Sequence, residues 1–356
     1  MFTEPRRTAR GPNATSFEET IMKLPWGNTE KIRFGLRGAL AAIAALLLLG
    51  AGAASGQAWP TKPVRIVHGF TSGGPVDIIA RLIAAYFSEQ LGQQAIVEGK
   101  PGAGGTVGAN HVAKSEPDGY TLFLMPSGHS TSPGMYKSLP YDAAQDFAMI
   151  SMLANSPFAV ITSPNSRHAS LQDLVRDARA EPGRIAFGTG GVGSGMHLVA
   201  LLLQARTGIQ LNHIPYKGGN ALNLALISGE VPVLFTSVAG ITPFIESGKM
   251  RLLAVTSKER YAPLPNVPTV AETLLPDFDV RAWYALSGPK KLPAPVVSKL
   301  NEAVHAALNR RDFAEKLLVL GAQPWPTSPR QAQEFLASEV ARWTKVIRDE
   351  KIQSVN

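Results

Sequence analysis

The stretch VRIVHGFTSGGPVDIIARLI, residues 64–83, carries the pattern that decides the fold. A short β-branched run at residues 64–68 leads into a loop at residues 70–74 that contains Gly73 and Gly74. Apolar side chains then recur at helical spacing from Asp77 onwards. A strand, a tight loop and a helix in this order favour a parallel sheet with helices on its faces.

The same order recurs along the chain. Strands are predicted at residues 95–98, 120–125, 184–187, 210–214 and 231–235, and most end in a loop rich in glycine or small hydroxyl residues. Long extended stretches at residues 148–162 and 280–287 separate two such units, as two lobes joined by paired crossing strands require. Helical patterns at residues 296–310, 312–320 and 329–349 predict a tail that packs on the first lobe.

The N-terminal segment has the pattern of a secretory signal peptide. Basic residues precede an uninterrupted apolar run at residues 39–49, and small residues follow it. The run is shorter than the roughly 20 apolar residues of a membrane-spanning helix. We therefore expect export to the periplasm. Cleavage sites after Ala53 and after Ala58 both fit the pattern, and cleavage after Ala58 is expected. The true start is either Met1 or Met22.

Composition excludes several classes of function. The chain has no cysteine, so it forms no disulfide and no thiolate metal site. Its formal charge is +8, but the basic residues are scattered and do not alternate with aromatic residues, which argues against nucleic-acid binding. The seven histidines do not cluster with carboxylates at metal-ligand spacing. We expect no metal and no cofactor.

The first loop exposes backbone amides at the start of a helix, where N–H groups lack partners and the helix dipole favours an anion. Because no cation is present in this loop, amides and hydroxyls are its only donors. An acidic residue in the first turn, Asp77, is expected to cap the helix or hold the loop. The candidate ligand-binding residues here are Phe70, Thr71, Ser72, Gly73, Gly74 and Asp77.

The second loop, residues 188–195, contains a formal G-x-G-x-x-G at Gly188, Gly190 and Gly193. This is the strongest case for a dinucleotide site, but the acid expected about 20 residues further on is missing. We interpret the loop as a second nest of N–H groups that faces an anion. The candidate residues are Gly193, Ser194, Gly195 and, on the following helix, His197, which either packs or donates to the loop.

Ligands of open parallel sheets bind beyond the carboxyl ends of the strands, so the loops are expected to meet at one cleft. No nucleophile elbow and no phosphate-binding P-loop occurs in the sequence. The remaining candidates lie at strand ends or on a crossing strand: Ser127, Tyr216, Lys217, Thr236, Ser237 and Trp283.

Several motifs in fixed order resemble one known family. They include Phe70-x-x-Gly73-Gly74-x-x-Asp77, the segment PGAGG at residues 101–105, PDGYTL at residues 117–122, HIPYKG at residues 213–218 and LPNVPTVAE at residues 264–272. From Trp59 onwards the chain is similar to the substrate-binding proteins of tripartite tricarboxylate transporters, the Bug family.

The resemblance implies a periplasmic-binding-protein type II fold, in which two α/β lobes close on a carboxylate held by backbone amides of the two glycine loops. Residues 1–58 would then be an N-terminal extension with the signal peptide, residues 59–157 and 284–356 lobe 1, and residues 158–283 lobe 2. The family often has an acid at the strand end where this chain has Thr236 and Ser237. This departure favours a plain organic acid over an amino acid.

The resemblance implies a monomeric receptor that delivers a small carboxylate to membrane permease subunits, with no enzymatic activity. Two alternatives stay open from the residues. The chain is a ligand-sensing input for a membrane signalling system, or it is a nucleotide-binding enzyme that uses the loop at residues 188–193.

Overall fold

The computed structural model describes residues 59–354, and the predicted signal peptide and cleavage site lie outside these residues. Ten strands are present in this part of the chain. They are β1 (Val64–His68), β2 (Ala95–Gly99), β3 (Thr121–Pro126), β4 (Phe147–Thr162), β5 (Ala186–Thr189), β6 (Asn212–Pro215), β7 (Val233–Ser237), β8 (Arg251–Val255), β9 (Arg281–Pro289) and β10 (Gln323–Pro324).

Eleven α-helices and one 3₁₀ turn (Ala103–Gly105) accompany these strands in residues 59–354. The helices are α1 (Pro75–Gln90), α2 (Thr106–Ala113), α3 (Gly128–Met135), α4 (Leu171–Ala180), α5 (Gly195–Thr207), α6 (Asn220–Ile227), α7 (Thr242–Glu246), α8 (Val270–Thr273), α9 (Ala294–Asn309), α10 (Arg311–Val319) and α11 (Pro329–Asp349).

The long strand β4 belongs to both lobes. Its first part, residues 147–157, pairs antiparallel with β9, which continues through β3 and β1 to β2 in lobe 1. Its last part, residues 158–162, pairs with β7 and β8, and β7 continues through β5 to β6 in lobe 2. The predicted architecture of two α/β lobes joined by crossing strands is confirmed. The exact lobe boundaries stay a prediction.

Each lobe is built as its sequence pattern predicts. In lobe 1, β1, β2 and β3 are parallel, and the apolar face of α1 is buried through Ile79, Ile83 and Phe87. In lobe 2, β5 is parallel to both β6 and β7, and α5 follows β5. The C-terminal helices α9 and α11 pack against β4. The carboxyl ends of β1, β3, β5 and β7 therefore present their loops between the lobes.

Helix α3 was not expected from the sequence. Helix α3 has the sequence GHSTSPGM, which combines glycine, serine, threonine and proline, all poor helix formers. Its hydroxyls donate to the backbone of the preceding turn: Ser130 to the Ser127 carbonyl (2.8 Å), Thr131 to that of Gly128 (3.0 Å) and Ser132 to that of His129 (2.7 Å). Tertiary packing against α11 holds this short buried helix together.

None of the helices in residues 59–354 is long and apolar enough to cross a membrane.

Candidate functional site

The first glycine loop is fixed by Asp77, a residue that is 3% exposed. One carboxylate oxygen accepts from the Gly73 amide (2.9 Å) and from Arg81 Nε (2.9 Å), and the other lies 3.2 Å from His68 Nε2. Gly73 has a φ of +82°, which explains why glycine is needed at this turn. The structure confirms that Asp77 holds the loop. It also shows that the Gly73 amide is already occupied.

Charge is balanced around this carboxylate. Burial alone would raise the pKa of Asp77, but the hydrogen bonds from Arg81 and from the Gly73 amide outweigh it and lower that pKa. Burial lowers the pKa of His68, although Asp77 opposes this effect. Asp77 is therefore an anion at neutral pH, and its carboxylate oxygens are already paired with Gly73, Arg81 and His68. It lines neither of the cavities between the lobes, contrary to its place among the expected ligand contacts.

The second glycine loop is fixed by Ser194 and His197. The Ser194 hydroxyl donates to the Gly191 carbonyl (2.7 Å) and accepts from the His197 amide (3.3 Å), which caps helix α5. The Gly193 amide donates to His197 Nδ1 (3.2 Å), and the His197 ring stacks on His213 with centroids 4.1 Å apart. The Nδ1 atom of His197 is thus an acceptor within its own lobe.

Loops of the two lobes are in direct contact across the cleft. The Thr71 hydroxyl donates to the Gly218 carbonyl (2.9 Å), and the Thr71 amide donates to the Lys217 carbonyl (3.2 Å). A Cβ placed on Gly128 would lie 2.7 Å from the Gly195 nitrogen, and one on Gly104 would lie 2.8 Å from the Ser194 nitrogen. The glycines therefore permit a backbone approach that any side chain would block, and the lobes are closed.

Two neighbouring cavities remain between the closed lobes. The amide cavity is lined by residues that include Ser127, Gly128, Ser194 and Tyr284, and the distal cavity by residues that include Gly74, Asn223 and Thr236. The two share four lining residues: Phe70, Pro75, Val76 and Met196. No ionisable side chain other than that of Tyr284 lines either cavity among the described residues.

Three helix N-termini meet at the amide cavity. Val76 of α1, Gly128 of α3 and Gly195 and Met196 of α5 line it. Within residues 59–354 the backbone amides of these four residues donate to no acceptor. First-turn amides and the aligned helix dipoles form a site for an anion, and each helix contributes about 0.3–1 kcal/mol, or up to ~2 kcal/mol when partly buried.

Seven of the predicted site residues line these cavities. Phe70 lines both, Gly74 and Thr236 line the distal cavity, and Ser127, Ser194, Gly195 and Ser237 line the amide cavity. The other nine do not: Thr71, Ser72, Gly73, Asp77, Gly193, His197, Tyr216, Lys217 and Trp283. Three of these nine, Thr71, Asp77 and His197, form hydrogen bonds to the backbone of the cleft loops.

Trp283 was expected to form a wall of the cleft, but it lies in the core of lobe 1. It is 2% exposed, its indole N–H donates to Glu339 (3.2 Å) and its ring packs on Phe335. Successive side chains of a strand point to opposite faces, so its neighbour Tyr284 lines the amide cavity instead.

Tyr216 and Lys217 also lie outside the cavities. The Tyr216 hydroxyl donates to Glu230 (2.5 Å), and the exposed Lys217 contributes only its carbonyl to the contact with Thr71.

Several residues that line the cavities were not predicted from the sequence, among them Val76, Gly128, Met196 and Asn223. Only Gly128 carried a signal, since it follows the carboxyl end of β3.

The described residues contain no group of three or more side chains suited to hold a metal ion.

The geometry is that of a type II periplasmic binding protein, with two lobes and a ligand cleft between them. Residues 79–352 match the family model described as "Tripartite tricarboxylate transporter family receptor". The chain belongs to this family, whose members are periplasmic solute-binding proteins.

Individual relatives agree with this assignment. Protein BugT of Bordetella pertussis (strain Tohama I) is 34% identical over 315 residues, which are 87% of this chain and 97% of that protein. The solved structure of R. palustris Rpa4515 with adipate is 34% identical, with a TM-score of 0.80, and covers 83% of this chain and 100% of its own. MatC (Rpa3494) from Rhodopseudomonas palustris with bound malate is 31% identical, with a TM-score of 0.78 and coverage of 81% and 100%.

Proposed function

We propose that this solute-binding protein captures a small organic carboxylate in the amide cavity. The observation that carries the proposal is the meeting of three helix N-termini, from α1, α3 and α5, at a cavity without a charged side chain. A buried carboxylate needs compensation, and unpaired amides on three helices supply it. Two structural neighbours that contain adipate and malate support the same chemistry.

The polar residues of the cavity add neutral partners. Ser127 is 7% exposed and its hydroxyl has no hydrogen-bond partner within residues 59–354. Tyr284 lies across the cavity, and burial, only partly offset by a hydrogen bond with Ser237, raises the pKa of its hydroxyl, which therefore stays protonated and able to donate. No acid lines the cavity to hold a ligand ammonium group, which supports a plain organic acid over an amino acid.

The cellular role follows from the family. We propose that the chain is exported by the segment at residues 31–58, is cleaved after Ala58 and acts as a monomer that delivers its ligand to the membrane permease subunits of a tripartite tricarboxylate transporter. The lobe boundaries proposed for this receptor are 157/158 and 283/284. The first boundary is supported by the change of β4 partners between Pro157, which pairs with β9, and Phe158, which pairs with β7. At the second boundary, residues 281–283 of β9 already pair with residues 155–157 of β4.

The test is a thermal-shift panel on the full exported chain with mono-, di- and tricarboxylates, aspartate, glutamate and nicotinamide nucleotides. A ligand that binds only the folded state stabilises it by about 2.7 kcal/mol at a hundredfold excess over Kd. We expect a shift with organic acids and none with the corresponding amides, which lack the charge. Equal shifts with acid and amide, or a shift with nucleotides alone, would refute the proposal.

A further inference from the structure

Two large side chains, those of Phe70 and Met196, lie between the amide cavity and the distal cavity, because each residue lines both. Phe70 belongs to the first glycine loop of lobe 1, and Met196 is the second residue of α5 in lobe 2. The other two shared residues, Pro75 and Val76, begin α1 and have stiff side chains. Phe70 and Met196 thus form a partition to which each lobe contributes one side chain.

The two halves of the partition meet at Gly190 of the second glycine loop. A Cβ on Gly190 would lie 3.1 Å from Met196 Sδ and 3.7 Å from Phe70 Cε1. The Phe70 ring also lies close to Gly105 of its own lobe and Gly218 of lobe 2, whose Cβ positions would be 3.1 Å from Cε2 and 3.2 Å from Cδ1. Glycine backbone of both lobes therefore holds the buried ring. Methionine has three rotatable side-chain bonds, so Met196 is the adjustable half.

The partition controls one dimension of the ligand, its length. A ligand whose carboxylate lies at the helix N-termini of the amide cavity reaches the distal cavity only past the four shared residues. A short ligand leaves the partition in place. A long ligand has to displace the Met196 side chain, since a closely packed interior has little spare volume and added atoms force side chains from their preferred rotamers.

We infer that Met196, together with Phe70, sets the length of the carboxylate that this protein binds. This inference rests on the proposed function and narrows its ligand class by chain length alone, whichever group lies at the far end. The native chain selects short acids. Shortening the Met196 side chain opens the passage to the distal cavity and admits longer acids.

The experiment compares acids that differ only in length. Calorimetric titration of the full exported chain uses two series: the monoacids butyrate, hexanoate and octanoate, and the diacids succinate, adipate and suberate. The group at the far end is constant within a series, so the ratio of the Kd of the longest acid to that of the shortest reports on length. In each series that binds to the native chain, we expect this ratio to be about tenfold or more.

Variants assign the length preference to the partition. Met196→Ala places a strong helix former in α5 and is expected to lower the ratio about fivefold or more. Phe70→Leu shortens the half from lobe 1 and should lower the ratio as well, which gives a second signal if the alanine variant fails to fold. Met196→Leu, of similar volume, should stay within about twofold of the native ratio. The control is Leu201→Ala, which truncates a side chain of the same helix that lines neither cavity.

The outcomes separate the two proposals. The length assignment is wrong and carboxylate capture stands if the longest acid binds the native chain as tightly as the shortest. The same conclusion holds if folded Met196→Ala, or Phe70→Leu in its place, keeps the native ratio, or if Leu201→Ala lowers it equally. It also holds if carboxylates of the wider panel bind but neither series does. If no carboxylate binds at all, the proposed function is overturned and this inference with it.

Discussion

The Tyr136 hydroxyl donates a hydrogen bond of 2.9 Å to the Val192 carbonyl. The bond joins the end of α3 in lobe 1 to the second glycine loop in lobe 2. A Cβ on Gly193 would lie 2.4 Å from the Tyr136 hydroxyl, so the ring fits this site only because glycine stands there. Burial raises the pKa of Tyr136 to about 12, which keeps the proton on the oxygen. The contact therefore bridges the two lobes.

Tyr136→Phe should weaken ligand binding without unfolding either lobe. The substitution keeps the ring and removes one hydrogen bond between the lobes, which contributes about 0.5–1.5 kcal/mol. Since closure is coupled to binding, we expect a Kd about two- to tenfold higher in calorimetric titration. The free energy of unfolding without ligand should change by less than about 1 kcal/mol. An unchanged Kd would show that closure does not depend on this bond.

Gly128→Ala tests the backbone approach on which the amide cavity depends. The backbone of Gly128 lies outside the positive-φ region, so alanine is tolerated at the start of α3 and the lobe should fold. Its Cβ would lie 2.7 Å from the Gly195 nitrogen and would keep the α3 and α5 N-termini apart. We expect a loss of affinity of more than tenfold by titration. Ser138→Ala, an exposed position after α3, serves as the control and should bind normally.

Strand and loop patterns in the sequence predicted the architecture because both signals are local. Residues 64–68 form β1, and the expected extended stretches appear as β4 and β9. These two strands pair because both cross between the lobes. Val280, just before β9, still contacts lobe 2, since its amide donates to the Thr256 carbonyl. The role of Asp77 was also accessible, because an acid in the first turn of a helix lies close to the loop amides before it.

The site itself was only partly predictable, because the contacts that decide it are not local. Helix α3 has a sequence that disfavours a helix, yet its N-terminus faces the ligand cavity. The position of Met196 between the two cavities depends on how both lobes pack around it, and its place in α5 gives no sign of this. The face to which Trp283 points depends on the register between β9 and its neighbours.

Trp283 and Tyr284 should separate stability from binding, because they point to opposite faces of β9. Trp283→Phe removes a hydrogen bond to Glu339, which also accepts from Trp343 (3.0 Å), and leaves a cavity in the core of lobe 1. We expect a loss of about 1–3 kcal/mol in the free energy of unfolding and the native Kd. Tyr284→Phe should do the reverse, with a Kd about two- to tenfold higher. If Trp283→Phe binds ligand more weakly but keeps the native free energy of unfolding, Trp283 contacts the ligand and the prediction is wrong.

Stability should fall as the pH is lowered from 7 to 5, because two buried histidines stay neutral in the folded chain. Burial lowers the pKa of His129 to about 4, with the hydrogen bond to the Ala143 carbonyl opposing it only in part. Burial, and to a smaller extent the charge of the neighbouring His213, lowers the pKa of His197 to about 3. The unfolded chain binds these protons near pH 6.5, so unfolding is favoured below that pH and increasingly so until the folded values are reached.

Each such histidine accounts for up to about 2 kcal/mol between pH 7 and pH 5. Urea unfolding at the two pH values measures the difference, and His129→Gln, which keeps a polar group near the Ala143 carbonyl, should reduce it by about 2 kcal/mol. The remaining dependence then includes His197 and the ring stacked on it, His213, whose pKa burial also lowers to about 4. It also includes His68, His111 and His168, because burial lowers the pKa of each of them. The same pH difference in the variant and in the native chain would mean that His129 is protonated in the fold, in conflict with its burial.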